Sequence, residues 1–184
     1  MQKHSSIAAL AVFTAAVALI SPDAAQADNL SASRVINAKS LKCLEIENSS
    51  TQNGGKAQQW DCMGQSGSSW YKHDVGGGVF QIRNSRSGKC LEIADSRQDE
   101  GAPAQQWSCN PNLDTQMWYI WDKTYLVNYN SHYVLEIPRG STDNGADAKQ
   151  GGWTKSQAQR WAWNTWALSE DEQKDPKIIP PRTQ

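Results

Sequence analysis

The chain carries almost no net charge: 18 lysines and arginines against 19 aspartates and glutamates give −1 at neutral pH over 184 residues. A near-neutral chain lacks the basic stripe that nucleic acid or an anionic membrane attracts, so neither is an expected partner. Histidine is scarce, with three residues, and no Cys-x-x-Cys pair occurs. No metal-ligand spacing is recognisable, and no metal or other cofactor is expected. His73 and His132 read as ordinary surface or strand residues. Asp143 to Asp147 faintly resembles a calcium loop, but Thr154 stands where the glutamate at loop position twelve is required. Gly-x-Ser-x-Gly, a phosphate loop and a Ser/His/Asp set are all missing, so an enzyme is not expected. Helical periodicity is missing after the first residues. The one long apolar run, Ile7 to Ile20, is too short to span a membrane. It follows Lys3 and His4 and precedes Ala25-Gln26-Ala27, a small-x-small cleavage pattern. Residues 1–27 therefore read as a secretory signal peptide, with Asp28 as the mature start and an extracellular destination. Export suits the four cysteines, because disulfides persist outside the cytosol.

What is present is a threefold repeat, and a repeat governs the reading of the whole fold. Asn37, Asn84 and Asn128 each stand six residues before Cys43, Cys90 and Val134. Those residues open Cys-Leu-Glu-Ile, Cys-Leu-Glu-Ile and Val-Leu-Glu-Ile. Trp60, Trp107 and Gly151 then follow Glu45, Glu92 and Glu136 at one constant spacing. Ser40, Ser87 and Ser131 match, as do Gly54, Gly101 and Gly145, and Trp70, Trp118 and Trp161. Short alternating runs bounded by Gly, Asn and Ser read as strands, with Asn53-Gly54 and Asn144-Gly145 as turns. This predicts an all-β domain over 28–168, with repeats of about four strands each over 33–79, 80–124 and 125–168. Three copies are too few for a propeller and must pack around a shared core. Residues 169–184, charged and proline-bearing, read as a mobile tail; the alternative is a segment that docks on a partner through Ile178-Ile179-Pro180-Pro181.

Gln58-x-Trp60, Gln105-x-Trp107, Gln116-x-Trp118 and Gln159-x-Trp161 resemble the Q-x-W signature of ricin-type lectin domains. The Cys-Leu-Glu-Ile runs are similar to that family's C-L-D-V, and Trp161-Ala162-Trp163 to its closing strand. The resemblance covers roughly Ser33 to Trp166. It implies a β-trefoil, a six-stranded barrel capped by three hairpins, and non-catalytic carbohydrate binding. A protein-interaction or targeting subunit of a larger secreted assembly, such as a toxin, is an alternative that brings protein partners. A hydrolase inhibitor on the same scaffold is another.

Cys43 and Cys62 are nineteen residues apart, as are Cys90 and Cys109, so one disulfide within each of the first two copies is expected. Val134 and Trp153 hold the equivalent positions in the third copy, where an apolar contact would replace the bridge. Trp70, Trp118 and Trp161 are expected in the core. Trp60 and Trp107 occupy the position where the family places the aromatic that stacks on a sugar ring; plain packing is the other reading. Carried over by position, the second copy offers Glu92, Gln105, Trp107 and Gln116. The first offers Glu45, Gln58 and Trp60, with Ser68 in place of the second amide. The third offers Glu136 and Gln159, with Lys149 and Gly151 in place of amide and plate. All three copies have Glu where galactose-binding members have Asp, and Gly67, Thr115 or Ala158 where Asn is expected. The competing reading of the three glutamates is a solvated outer strand face.

Overall fold

A computed structural model describes residues 32–163 and 179–183. The expected leader and residues 164–178 and 184 lie outside the described residues. The first copy forms β1 (Val35–Asn37), β2 (Cys43–Ile46), β3 (Gly55–Trp60) and β4 (Trp70–Gly76). The second forms β5 (Val79–Asn84), β6 (Cys90–Ile93), β7 (Ala104–Trp107) and β8 (Met117–Trp121). The third forms β9 (Tyr125–Asn128), β10 (Val134–Glu136), β11 (Ala146–Asp147), β12 (Lys149–Gly151) and β13 (Trp161–Trp163). The expectation of four strands per copy holds for the first two; in the third, the third strand is split at Ala148 into β11 and β12. The split divides partners: β11 pairs with β3 of the first copy, while β12 pairs with β10.

The first and last strands of each copy make the barrel. β1 pairs with β13, β4 with β5, β5 with β8 and β8 with β9. The ring closes through the Ser33–Trp70 bridge and through the Trp161 amide, which donates to the Thr124 carbonyl at 2.8 Å. The hairpins β2–β3, β6–β7 and β10–β12 cap it. The result is a β-trefoil.

Alternation in the Cys-Leu-Glu-Ile strand decides what each hairpin buries. Leu44, Ile46, Leu91, Ile93, Leu135 and Ile137 join Trp70, Trp118 and Trp161 in one core. Each of these indoles donates through Nε1 to the carbonyl of the copy's own Leu: Trp70 to Leu44 (2.9 Å), Trp118 to Leu91 (3.0 Å) and Trp161 to Leu135 (2.9 Å). A buried indole N–H needs an acceptor, and the repeated strand supplies it.

Two sets of buried amides join the copies in a ring. Asn37, Asn84 and Asn128 donate to the carbonyls of Ala158, Gly67 and Thr115, each in the preceding copy around the ring. Gln59, Gln106 and Gln150 accept from Ser40, Ser87 and Ser131 of their own copies at 2.7, 2.7 and 2.6 Å. Their amide nitrogens donate across the boundary: Gln59 to the Ser141 and Asp143 carbonyls, Gln106 to Ser50 and Gln52, Gln150 to Arg97 and Asp99. The disulfides Cys43–Cys62 and Cys90–Cys109 are formed as the spacing predicts. In the third copy Val134 is buried and Trp153 packs against its cluster, edge-on to Tyr125 with ring centroids 5.6 Å apart.

Residues 179–183, within the expected mobile tail, lie against the third copy. The Trp153 amide donates to the Arg182 carbonyl at 2.7 Å, and the Arg182 amide to the His132 carbonyl at 2.8 Å.

Because Trp118 is fully buried with its N–H satisfied, Trp118→Ala is expected to lower stability by about 3–5 kcal/mol. Urea unfolding of the two proteins measures it. Removing either disulfide by a Cys-to-Ser pair is expected to cost about 2–5 kcal/mol in the same assay.

Candidate saccharide site

The site begins with the register of one hairpin. In β6–β7, Cys90 faces Trp107 and Glu92 faces Gln105. All four side chains stand on the side of the hairpin away from Leu91 and Ile93, because successive residues alternate. Gln105 Nε2 donates to Glu92 Oε1 at 2.9 Å. Gln116, brought up by the 3₁₀ turn Asp114–Gln116 before β8, donates to Glu92 Oε2 at 2.8 Å. The structure thus brings together Glu92, Gln105 and Gln116, with Trp107 beside them. Glu92 and Gln116 are buried, at 6% and 0% exposure, whereas Trp107 is 42% exposed and Gln105 half-buried.

Gln116 has a second task. Its Nε2 also donates to the Ser108 carbonyl (3.0 Å) and its Oε1 accepts from the Asn110 amide (2.8 Å), tying the end of β7 to the loop that follows. Gln159 repeats this with the Gly152 carbonyl (2.6 Å) and the Thr154 amide (2.9 Å). In the first copy Ser68 stands at that position and its hydroxyl turns to the Gln65 carbonyl. Gln65 takes over the tie, with Nε2 on the Asp61 carbonyl (2.8 Å) and Oε1 on the Met63 amide (3.0 Å).

The first copy otherwise repeats the second. Glu45 faces Gln58 and accepts from its Nε2 at 2.9 Å, while Trp60 opposite Cys43 is 40% exposed. Glu45 itself is buried at 5% exposure. The reading of the glutamates as a solvated strand face is therefore corrected for Glu45 and Glu92. Their carboxylates lie under the neighbouring side chains and accept amide N–H groups that would otherwise be buried without a partner.

Each plate is completed by the neighbouring copy. A Cβ built on Gly54 of the first copy would lie 3.8 Å from Trp107 Cζ3, and one on Gly145 of the third copy 3.6 Å from Trp60 Cζ3. Both glycines have positive φ, +79° and +81°, which an L side chain adopts only with strain. The preceding asparagines fix these turns. Asn53 Oδ1 accepts from the Ser108 amide at 3.0 Å, and Asn144 Oδ1 from the Asp61 amide at 3.0 Å. Asn144 also donates to Asp61, which Lys42 pairs with; the Lys42 hydrogen bond, then that from Asn144, holds the Asp61 carboxyl below its usual range. The Asn-Gly dipeptides read only as turns in sequence. Their place beside the next copy's tryptophan follows from the ring of copies.

In the third copy Gln159 Nε2 donates to Glu136 Oε2 at 2.8 Å, and Glu136 faces Lys149 across the hairpin. Gly151 leaves no plate, and the Glu136 carboxyl group occupies the space where a side chain at 151 would begin. An open groove of about 640 Å³ remains there, lined by Glu136, Arg139, Thr154 and Gln157 together with Lys39 of the first copy. Desolvation raises the Glu136 carboxyl above its usual range, the Gln159 hydrogen bond works against this, and the nearby Glu100 charge adds to the rise.

Residues 25–107 match the family model described as ricin-type beta-trefoil lectin domain-like, which spans the first copy and the second as far as Trp107. No curated protein matches the chain. Among solved structures, the designed threefold-symmetric protein ThreeFoil is similar at 27% identity and TM-score 0.69, over 72% of this chain and 96% of its own. An exo-beta-1,3-galactanase from Clostridium thermocellum is similar at 25% identity and TM-score 0.69, over 74% of this chain. The chain spans only 30% of that enzyme's length. The C-half of the earthworm R-type lectin, solved with GalNAc, shares the fold at 18% identity and TM-score 0.60, over 72% of this chain and 96% of its own. The fold is a β-trefoil, and over residues 25–107 the chain is similar to ricin-type lectin-like domains. Among the described residues no helix is long and apolar enough to cross a membrane.

The raised Glu136 carboxyl gives a pH prediction with a fixed sign. A folded-state pKa above the unfolded value means the stability this group contributes is complete below the unfolded value, about 4.3, and is lost as pH rises through the folded value. Glu136→Gln, which keeps an oxygen for Gln159, is therefore expected to raise Tm at pH 7 relative to the native protein, with the gap closing at pH 4. Thermal unfolding across that range measures it.

Proposed function

We propose that the protein is a secreted, non-catalytic carbohydrate-binding lectin whose principal site is in the second copy, with a second site in the first. The observation that carries this is the half-exposed Trp107 plate beside the Glu92–Gln105–Gln116 set. A sugar offers one apolar face and pairs of hydroxyls. The face stacks on Trp107, an aromatic already held by the Gly54 turn. Gln105 reaches the surface beside it. Each Glu92 oxygen accepts one amide N–H and keeps a lone pair for a hydroxyl. Trp60, Gln58 and Glu45 repeat this arrangement in the first copy without the second amide. The match to a ricin-type lectin-like family model supports the ligand class. Glutamate in place of the family's aspartate argues for a sugar other than simple galactose, because the longer side chain moves the carboxylate by about 1 Å in a site set by hydrogen-bond geometry. Secretion is supported by the leader pattern and by two disulfides, which oxidising compartments maintain.

A glycan array probed with the mature protein, followed by titration of the best ligand, tests the reading. Trp107→Ala is expected to abolish binding at the second copy while changing Tm little, since the ring is half exposed. Native-like binding of every glycan by Trp107→Ala would remove the second copy as the site. A folded native protein that binds no glycan at all would put a protein partner in the place of sugar. Sequencing the secreted protein's N-terminus is expected to begin at Asp28; retention of the first twenty residues would overturn the leader assignment.

A further inference from the structure

The three copies present one equivalent corner, and it is closed in two different ways. The corner is formed by Leu41, Gly88 and His132, each with positive φ (60°, 68° and 59°) and each donating its amide to the carbonyl of Asn37, Asn84 or Asn128. In the first two copies a disulfide sulfur lies against it: Cys62 Sγ is 3.8 Å from the Leu41 carbonyl oxygen, and Cys109 Sγ 3.4 Å from that of Gly88. In the third copy the cysteines are Val134 and Trp153, and the His132 carbonyl accepts instead from the Arg182 amide at 2.8 Å. The Arg182 carbonyl in turn accepts from the Trp153 amide at 2.7 Å. Arg182 thus joins the residues equivalent to Gly88 and Cys109. The flanking contacts are specific as well. Tyr119 donates its hydroxyl to the Ile179 carbonyl at 2.8 Å, Pro181 is buried, and the Arg182 guanidinium lies 5.5 Å from the Tyr133 ring centroid.

We infer that the third copy, together with Tyr119 of β8 in the second, carries a peptide-recognition groove, lined by Tyr119, His132, Tyr133 and Trp153, whose ligand is the chain's own Ile179–Thr183 segment. The segment closes the third copy as the disulfides close the other two. The chemistry of the groove matches this ligand. Consecutive prolines enter with little conformational freedom to lose, and aromatic-lined grooves take such segments. The flanking backbone then supplies hydrogen bonds to an exposed corner, and a tyrosine face receives the arginine. Tyr119 serves as a fixed donor here, since burial raises its phenol well above the usual range and keeps it protonated. The groove shares no residue with the glycan site, so its failure and that of the lectin reading are separately measurable.

Amide hydrogen exchange on the full mature chain tests the inference. The Arg182 amide is expected to exchange at least tenfold more slowly than the same amide in a free Ile-Ile-Pro-Pro-Arg-Thr-Gln peptide; equal rates would overturn the proposal without any variant. Arg182→Pro removes the N–H that His132 accepts and the cation over Tyr133. It is expected to speed exchange at the Trp153 amide at least tenfold, leaving the amides of Leu41 and Gly88 unchanged. The free peptide, added at about millimolar concentration to match the effective concentration of a tethered segment, is expected to slow the Trp153 amide again. A peptide with proline in place of its arginine is expected not to. Unchanged exchange at Trp153 in Arg182→Pro, or equal effects of the two peptides, would show that the segment rests on the surface without recognition.

Discussion

The fold depends on keeping three buried glutamine amides satisfied. Gln59, Gln106 and Gln150 are fully buried. Each accepts from a serine of its own copy and donates to two carbonyls of the preceding copy around the ring. An unpaired amide at such a position costs about 1–3 kcal/mol, and two carbonyls would lose their donor with it. Any one copy leaves its own glutamine half satisfied. Only the closed ring of three pairs every group, which makes the ring, and not the repeat, the unit that folds.

The candidate site inherits this constraint. The carbonyls that Gln106 holds belong to Ser50 and Gln52, and the same loop presents Asn53 and Gly54 to Trp107. The carbonyls that Gln59 holds belong to Ser141 and Asp143, immediately before Asn144 and Gly145 beside Trp60. The amides that join the copies therefore also position the walls of the plates. A half-exposed tryptophan on a single hairpin would have many rotamers; one wedged against a turn from the preceding copy has few, and little ordering is left to do on binding.

The third copy shows what a repeat becomes when its plate and bridge are both replaced. Gly151 leaves room that the Glu136 carboxyl group fills, and the carboxyl is raised by burial. Val134 and Trp153 turn the disulfide position into an aromatic cluster with Tyr119 and Tyr125, which leaves the His132 corner for the Arg182 amide. The skeleton of Asn128, Ser131, Gln150 and Trp161 is retained throughout. The positions that hold the ring and those that differ between copies are thus separate sets of residues.

Much of this was legible in the sequence. Identical spacing in the copies set the equivalence of Cys43 with Cys90, Glu45 with Glu92 and Trp70 with Trp118, and hence the two disulfides, because residues at equal steps in equivalent strands meet equivalent partners; the family resemblance and apolar neighbours put Trp70, Trp118 and Trp161 in the core. Four features were decided only by tertiary structure. Glu45 and Glu92 are buried and paired with amides brought up by other elements, Gln58 for Glu45 and Gln105 and Gln116 for Glu92. The role of Gln65 depends on a loop curling back, so that it reaches the space of a residue three positions later. The Asn-Gly turns became walls of a site because copies next to each other in the ring meet there. Residues 169–184 read in sequence as a mobile tail, or as a segment that docks on a partner through Ile178-Ile179-Pro180-Pro181; the contact of Ile179–Thr183 with His132 and Trp153 of the same chain exists because the fold leaves one corner in three without a disulfide. Sequence spacing determines what repeats, since a strand's faces are set by counting residues. What closes between the repeats is set by distance in space, which counting does not carry.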